Sequence, residues 1–100
     1  MKVYLVVFEW SDEVGSDTDI EVFDSYEKAV IRFQERIDDE KTYESWVHDA
    51  LDENGDVLDG YNFEEHQPNT HLETYAYWRI TDQYKWRMYD YIAIVPQEVK

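Results

Sequence analysis

The chain of 100 residues contains no cysteine. That excludes disulfides, thiol nucleophiles and thiolate metal sites together, and it suits a reducing compartment. Three glycines are too few for a phosphate-cradling loop, and no serine stands in a Gly-x-Ser-x-Gly setting. The apolar opening, Val3 to Phe8, stops at Glu9, short of a signal peptide's hydrophobic region and far short of a membrane span. The chain is therefore expected to be cytoplasmic, to have no contact with membrane, and to act as something other than an enzyme, with no cofactor and no metal.

Positive charge is the next scarcity. Nine Lys and Arg face 24 Asp and Glu, a formal net charge of −15, so direct binding to nucleic acid is not expected. The imbalance is uneven. Glu9, Asp12, Glu13, Asp17, Asp19, Glu21 and Asp24 occupy 9–24 with no base among them, and eleven acids between Asp38 and Glu65 meet only Lys41, a local −10. From 74 to 100, Arg79, Lys85, Arg87 and Lys100 outweigh Asp82, Asp90 and Glu98 by one. Disorder is not expected despite the charge, because 17% of the residues are aromatic and such side chains make burial worthwhile.

Periodicity predicts a single domain over 1–100 of the α+β class: an antiparallel sheet of four or more strands with one or two helices on one face. MKVYLVVFEW (1–10) has the β-branched and aromatic content of a central strand, and 19–23 reads as its hairpin partner. Asp24, with Glu27 three residues on, predicts a capping box opening a helix whose buried stripe is Tyr26, Val30, Phe33 and Ile37. Lys28, Arg32 and Arg36 line up on its exposed side as a basic stripe. Any negative face must avoid that side. Further on, Tyr43, Trp46, Val47, Ala50 and Leu51 fit a second helix capped by Thr42 and ended at Asn54-Gly55; a hairpin turning at Asn54-Gly55 is the alternative. In the C-terminal third, apolar and polar residues alternate over 71–80 and 85–94, giving two amphipathic strands. YIAIV is apolar enough to lie beside the first strand. For both apolar sets to share one face, the loop near Asp82-Gln83 must be odd in length or carry a bulge.

HDALDENGDVLDG (48–60) invites a calcium reading that fails on spacing. With Asp52 at the first position of an EF-hand loop, Val57 takes the glycine position and Phe63 the glutamate position. Glu64, His66 and His71 match no metal spacing. The stretch is read as turn chemistry with surplus negative charge.

Two binding surfaces emerge. The first is an acidic face of Asp12, Glu13, Asp17, Asp19, Glu21, Glu40, Glu44, Asp49, Asp52, Glu53, Asp56 and Asp59. Alternate strand residues such as Asp17, Asp19 and Glu21 lie about 6.6 Å apart, and helical neighbours about 6 Å, close enough to imitate a row of phosphates. The second gathers Tyr75, Tyr77, Arg79, Arg87, Tyr89 and Tyr91 on one side of the C-terminal strands. That side is either a tyrosine ladder under the chain's own helix or acidic loops, or a contact patch supporting a homodimer. Asp90, alone among Trp86, Met88, Ile92 and Ile94, requires a partner when buried and is expected to meet an Arg, a hydroxyl or a backbone donor.

MKVYLVVFEW followed by VFDSYEKAVIRF resembles the opening of short proteins carried by bacterial prophages and mobile elements. Size and charge are similar to those of anti-CRISPR, anti-restriction and other DNA-mimic inhibitors, and of immunity proteins against nuclease toxins. The resemblance implies a partner with a cationic groove, namely a basic protein that handles nucleic acid, and a function of blocking it. The alternative is a structural or regulatory domain that self-associates through the tyrosine side.

Overall fold

A computed structural model of the protein describes residues 1–42, 46–82 and 88–99. Five strands, β1 (Lys2–Ser11), β2 (Ser16–Phe23), β3 (Asn62–His66), β4 (Ala76–Thr81) and β5 (Tyr89–Glu98), form one antiparallel sheet in the order β2-β1-β5-β4-β3. The helices α1 (Tyr26–Thr42) and α2 (Trp46–Asp49) complete an α+β fold. The first and last strands are neighbours, as their apolar composition predicts. Thr81 pairs with Tyr89, leaving residues 82–88, an odd number, between the two amphipathic strands. Ala76, Trp78 and Ile80 therefore face the same side as Ile94, Ile92 and Asp90.

That side is the core. Tyr26, Ala29 and Phe33 of α1 and Val47 and Ala50 around α2 close over Tyr4, Val6, Trp78, Ile80, Ile92 and Ile94. Each large side chain removed from water there contributes about 1.5–3 kcal/mol. Tyr26 secures one end: its hydroxyl donates to the Thr74 carbonyl at 2.8 Å and accepts from the Asn69 amide at 3.2 Å. No helix among the described residues is long and apolar enough to cross a membrane.

Three local expectations are corrected. Ser25, not Asp24, caps α1, its Oγ accepting the Lys28 amide at 3.2 Å; Asp24 instead forms an ion pair with Lys28 at 2.9 Å. The helix thus begins one residue later, and its buried stripe runs through Ala29, with Val30 and Ile37 only partly covered. Thr42 ends α1 rather than opening α2, its hydroxyl donating to the Asp38 carbonyl at 2.8 Å. Finally, the predicted helix and its alternative hairpin share the 46–58 stretch. After α2, Leu51 bridges Val57 and the Leu58 amide donates to the Ala50 carbonyl at 2.9 Å, so the chain doubles back around Asn54-Gly55 with Gly55 at a φ of 83°. One turn of helix suffices to bury Val47 and Ala50.

Candidate functional site

Two acid-rich stretches meet at one end of the sheet. The β1–β2 turn is held by Asp12, whose carboxylate accepts the Val14 and Gly15 amides at 2.7 and 3.0 Å. This turn lies opposite α2, and Asp12, Glu13 and Val14 line a cleft of about 630 Å³ with Trp46, His48, Asp49 and Met88. An adjoining cleft of about 240 Å³ is lined by the aromatic side chains of Phe8, Trp10 and Trp46 and the carboxyl residues Asp12, Glu40 and Asp90. Glu40 comes from the last turns of α1; Trp10 and Asp90 are cross-strand partners on β1 and β5. Trp46 is set by stacking on Tyr61, ring centroids 6.3 Å apart.

Asp90 is 2% exposed, and among the described residues the group set against it is another carboxyl, that of Glu40, by a side-chain hydrogen bond. Such a bond requires one proton between the two groups. Burial first, then Glu40, pushes the Asp90 carboxyl up to about 9, with Asp12 adding to the effect.

The remaining acids are distributed less simply. Asp17, Asp19 and Glu21 alternate on the helix side of β2, where the basic stripe of α1 meets them. Arg32 pairs with Glu21 at 2.7 Å and Arg36 with Asp19 and, at 3.5 Å, with Glu21. Arg32 and Arg36 are thus turned onto the sheet edge while Lys28 stays exposed beside Asp24, and the phosphate-like row is interrupted by cations. Asp17 turns its carboxylate back to the Thr18 amide at 2.8 Å. Asp52 organises its own turn, accepting the Asn54 and Asp56 amides at 2.8 and 3.0 Å, while Glu53, Asp56 and Asp59 stay exposed around it. Glu44 lies outside the described residues. Among the described residues, no Lys or Arg pairs with Asp12, Glu13, Asp49, Glu53, Asp56 or Asp59.

On the opposite side of the sheet, the strand register puts Tyr77, Arg79, Tyr89 and Tyr91 together, and with Tyr75, Glu9 and Glu64 they line a depression of about 520 Å³. The Tyr75 and Tyr91 hydroxyls are hydrogen-bonded to each other. Burial, then this bond, pushes the Tyr91 phenol above the usual tyrosine range. The ladder does not lie under a helix, because both helices are on the other side. Arg87 lies outside the described residues. Beside the tyrosines, Val3, Leu5, Val7 and Val95 are partly covered, and Ile20 and Val22 are 54% and 62% exposed. This aliphatic half is absent from the sequence reading, although alternation in 2–8 and 16–23 carries its signal. Trp10 and Trp46 are likewise absent from it, since only the fold makes them walls of one cleft.

Comparison with known proteins returns no match: no family model, curated protein or solved structure aligns significantly with the chain.

Proposed function

We propose that the protein is an acidic interaction domain that binds and blocks a basic, nucleic-acid-handling protein, in the manner of a DNA mimic or immunity protein. The observation that carries this reading is the convergence of Asp12 and Glu13 with Glu40 and Asp49 on one end of the sheet. A chain needing negative charge only for solubility has no reason to gather it from two separate stretches, where self-repulsion costs stability. Apolar Trp46, Val14 and Met88 stand among the carboxylates, as contact area does at the centre of an interface rimmed by charge. The contact surface of this reading is smaller than the whole set of acids, because Asp19 and Glu21 are already matched by Arg36 and Arg32.

The test is binding to cationic nucleic-acid enzymes of the nuclease, methyltransferase and CRISPR-effector classes at rising salt. Affinity should fall steeply as screening shortens from about 10 Å at 0.1 M to about 3 Å at 1 M. The combined Glu13→Gln and Asp49→Asn variant should slow association about tenfold or more, whereas Asp19→Asn should have little effect on association. Equal, salt-independent binding by parent and variant would reject the reading.

The uncovered sheet side favours a second reading, self-association. Its neutral aliphatic and tyrosine residues form a region where two copies of a −15 chain could meet with least repulsion. A specific pairing would remove about 800 Å² per partner. Sedimentation at micromolar concentration decides it: a dimer dispersed by Val22→Lys supports it, and a monomer ends it.

A further inference from the structure

The smaller cleft is built for a different task from the acidic rim around it. Three aromatic residues, Phe8, Trp10 and Trp46, and three carboxyl residues, Asp12, Glu40 and Asp90, line it. At about 240 Å³ it falls below the roughly 300–1,000 Å³ of sites that enclose a whole small molecule. Its size suits one side chain. Asp90, although 2% exposed, leaves Oδ2 without a hydrogen-bond partner. An unmet buried acceptor of this kind costs about 1–3 kcal/mol, and here it borders a cleft.

We propose that this cleft receives one arginine side chain of the protein's partner, its guanidinium stacked between the Trp10 and Trp46 indoles and hydrogen-bonded to Glu40 and Asp90. The inference rests on the reading of this end of the sheet as a partner-binding surface.

Three physical arguments support a guanidinium. Indole faces attract cations within about 6 Å, and the planar guanidinium also stacks on them while its fork of N–H donors matches carboxylate oxygens. The cleft lies at the C-terminal end of α1, where helix carbonyls favour positive charge, and Lys41 is the base of a last turn that follows Asp38 and Asp39. A guanidinium there would add to the positive charge that this helix end favours. Arg36 lies 5.1 Å over the Phe8 ring, but its charge is matched by Asp19 and Glu21. It closes one face of Phe8 and leaves the indoles as the binding walls.

Occupancy should be linked to protons. In the free protein burial keeps the proton on the Asp90 carboxyl; a guanidinium favours its ionised form, and the proton leaves to solvent. Affinity should therefore rise with pH up to about 9, by no more than tenfold per unit.

N-acetylarginine amide serves as the probe, titrated into the full chain while the indole N–H resonances of Trp10 and Trp46 are followed by NMR. Saturable shifts at both indoles are expected, with none from the uncharged N-acetylcitrulline amide. Glu40→Gln should weaken binding about tenfold or more, the loss of a charge-assisted bond. Trp46→Phe, which keeps an aromatic wall with a poorer cation-binding face, should weaken it about two- to tenfold. Asp90→Asn should remove the pH dependence. Tetramethylammonium provides a control on shape: equal or tighter binding would replace the arginine assignment with a general ammonium cage. Absence of shifts at both indoles, or identical shifts with the citrulline compound, would overturn the inference. Failure of the broader reading would look different: the probe would still bind the parent chain, while cationic nucleic-acid enzymes bound parent and the Glu13→Gln and Asp49→Asn variant equally and independently of salt.

Discussion

At Asp90, burial and a second carboxyl act in the same direction, and stability must respond to pH. A carboxyl whose pKa is raised on folding, here from about 3.9 unfolded to about 9, binds its proton more tightly in the folded state. The associated stability is complete in acid and is lost as pH climbs from about 4 through about 9, at a slope not exceeding about 1.4 kcal/mol per pH unit. Asp90→Asn, which donates to Glu40 without a proton to lose, should be more stable than the parent above neutrality, with a gap that widens towards pH 9 in urea titrations. A gap independent of pH would show that the pair titrates elsewhere. Asp90 itself stands out in the sequence as a lone acid in an apolar alternation. Its partner does not, because opposite-charge logic never pairs Asp with a Glu 50 positions earlier, and only the packing of α1 over β5 brings them together.

At the level of elements, α1 offers a test of which residue opens it. Ser25→Ala should lower stability by about 0.5–2 kcal/mol through loss of the cap. Asp24→Ala, touching only an exposed ion pair, should leave the urea midpoint nearly unchanged. The reverse order would restore the Asp24 cap. Within the core, Trp78→Ala should cost about 3–5 kcal/mol, because Trp78 is 2% exposed and the cavity left behind cannot fully collapse. The strands were legible where alternation is strict: residues 76–80 and 89–94 declare both their faces, and the parity of their pairing follows. They were least legible where one pattern serves two structures, as in 46–58, where helical spacing of Trp46, Val47 and Ala50 runs directly into turn chemistry at Asn54-Gly55. The exposed strand β3 carries Glu64 and Glu65 in place of apolar alternation, and sits at the sheet edge where charges discourage further pairing. For the acidic surface, the sequence supplied the members but not their directions, because whether Asp19 meets water or Arg36 depends on the side of β2 that α1 covers.

For the whole molecule, a net charge of −15 makes the fold sensitive to screening. Raising NaCl from 0.01 to 0.5 M should increase the thermal midpoint, since mutual repulsion among unpaired carboxylates outweighs the few ion pairs that salt weakens; a fall would mean that the Arg32 and Arg36 pairs dominate. The strand order has a separate consequence, for the timing of folding. β5 is the last strand in sequence and the middle strand in space, and the β2-β1 and β4-β3 pairs join only through it. During synthesis β1 must wait, its inner edge unpaired, until residues some ninety positions later have left the ribosome. Two isolated hairpins are marginal by themselves, so assembly should be a late, concerted event in the roughly millisecond-to-second range of non-local sheets. Until then the nascent chain has only its own negative charge to keep neighbouring copies from pairing with that waiting edge.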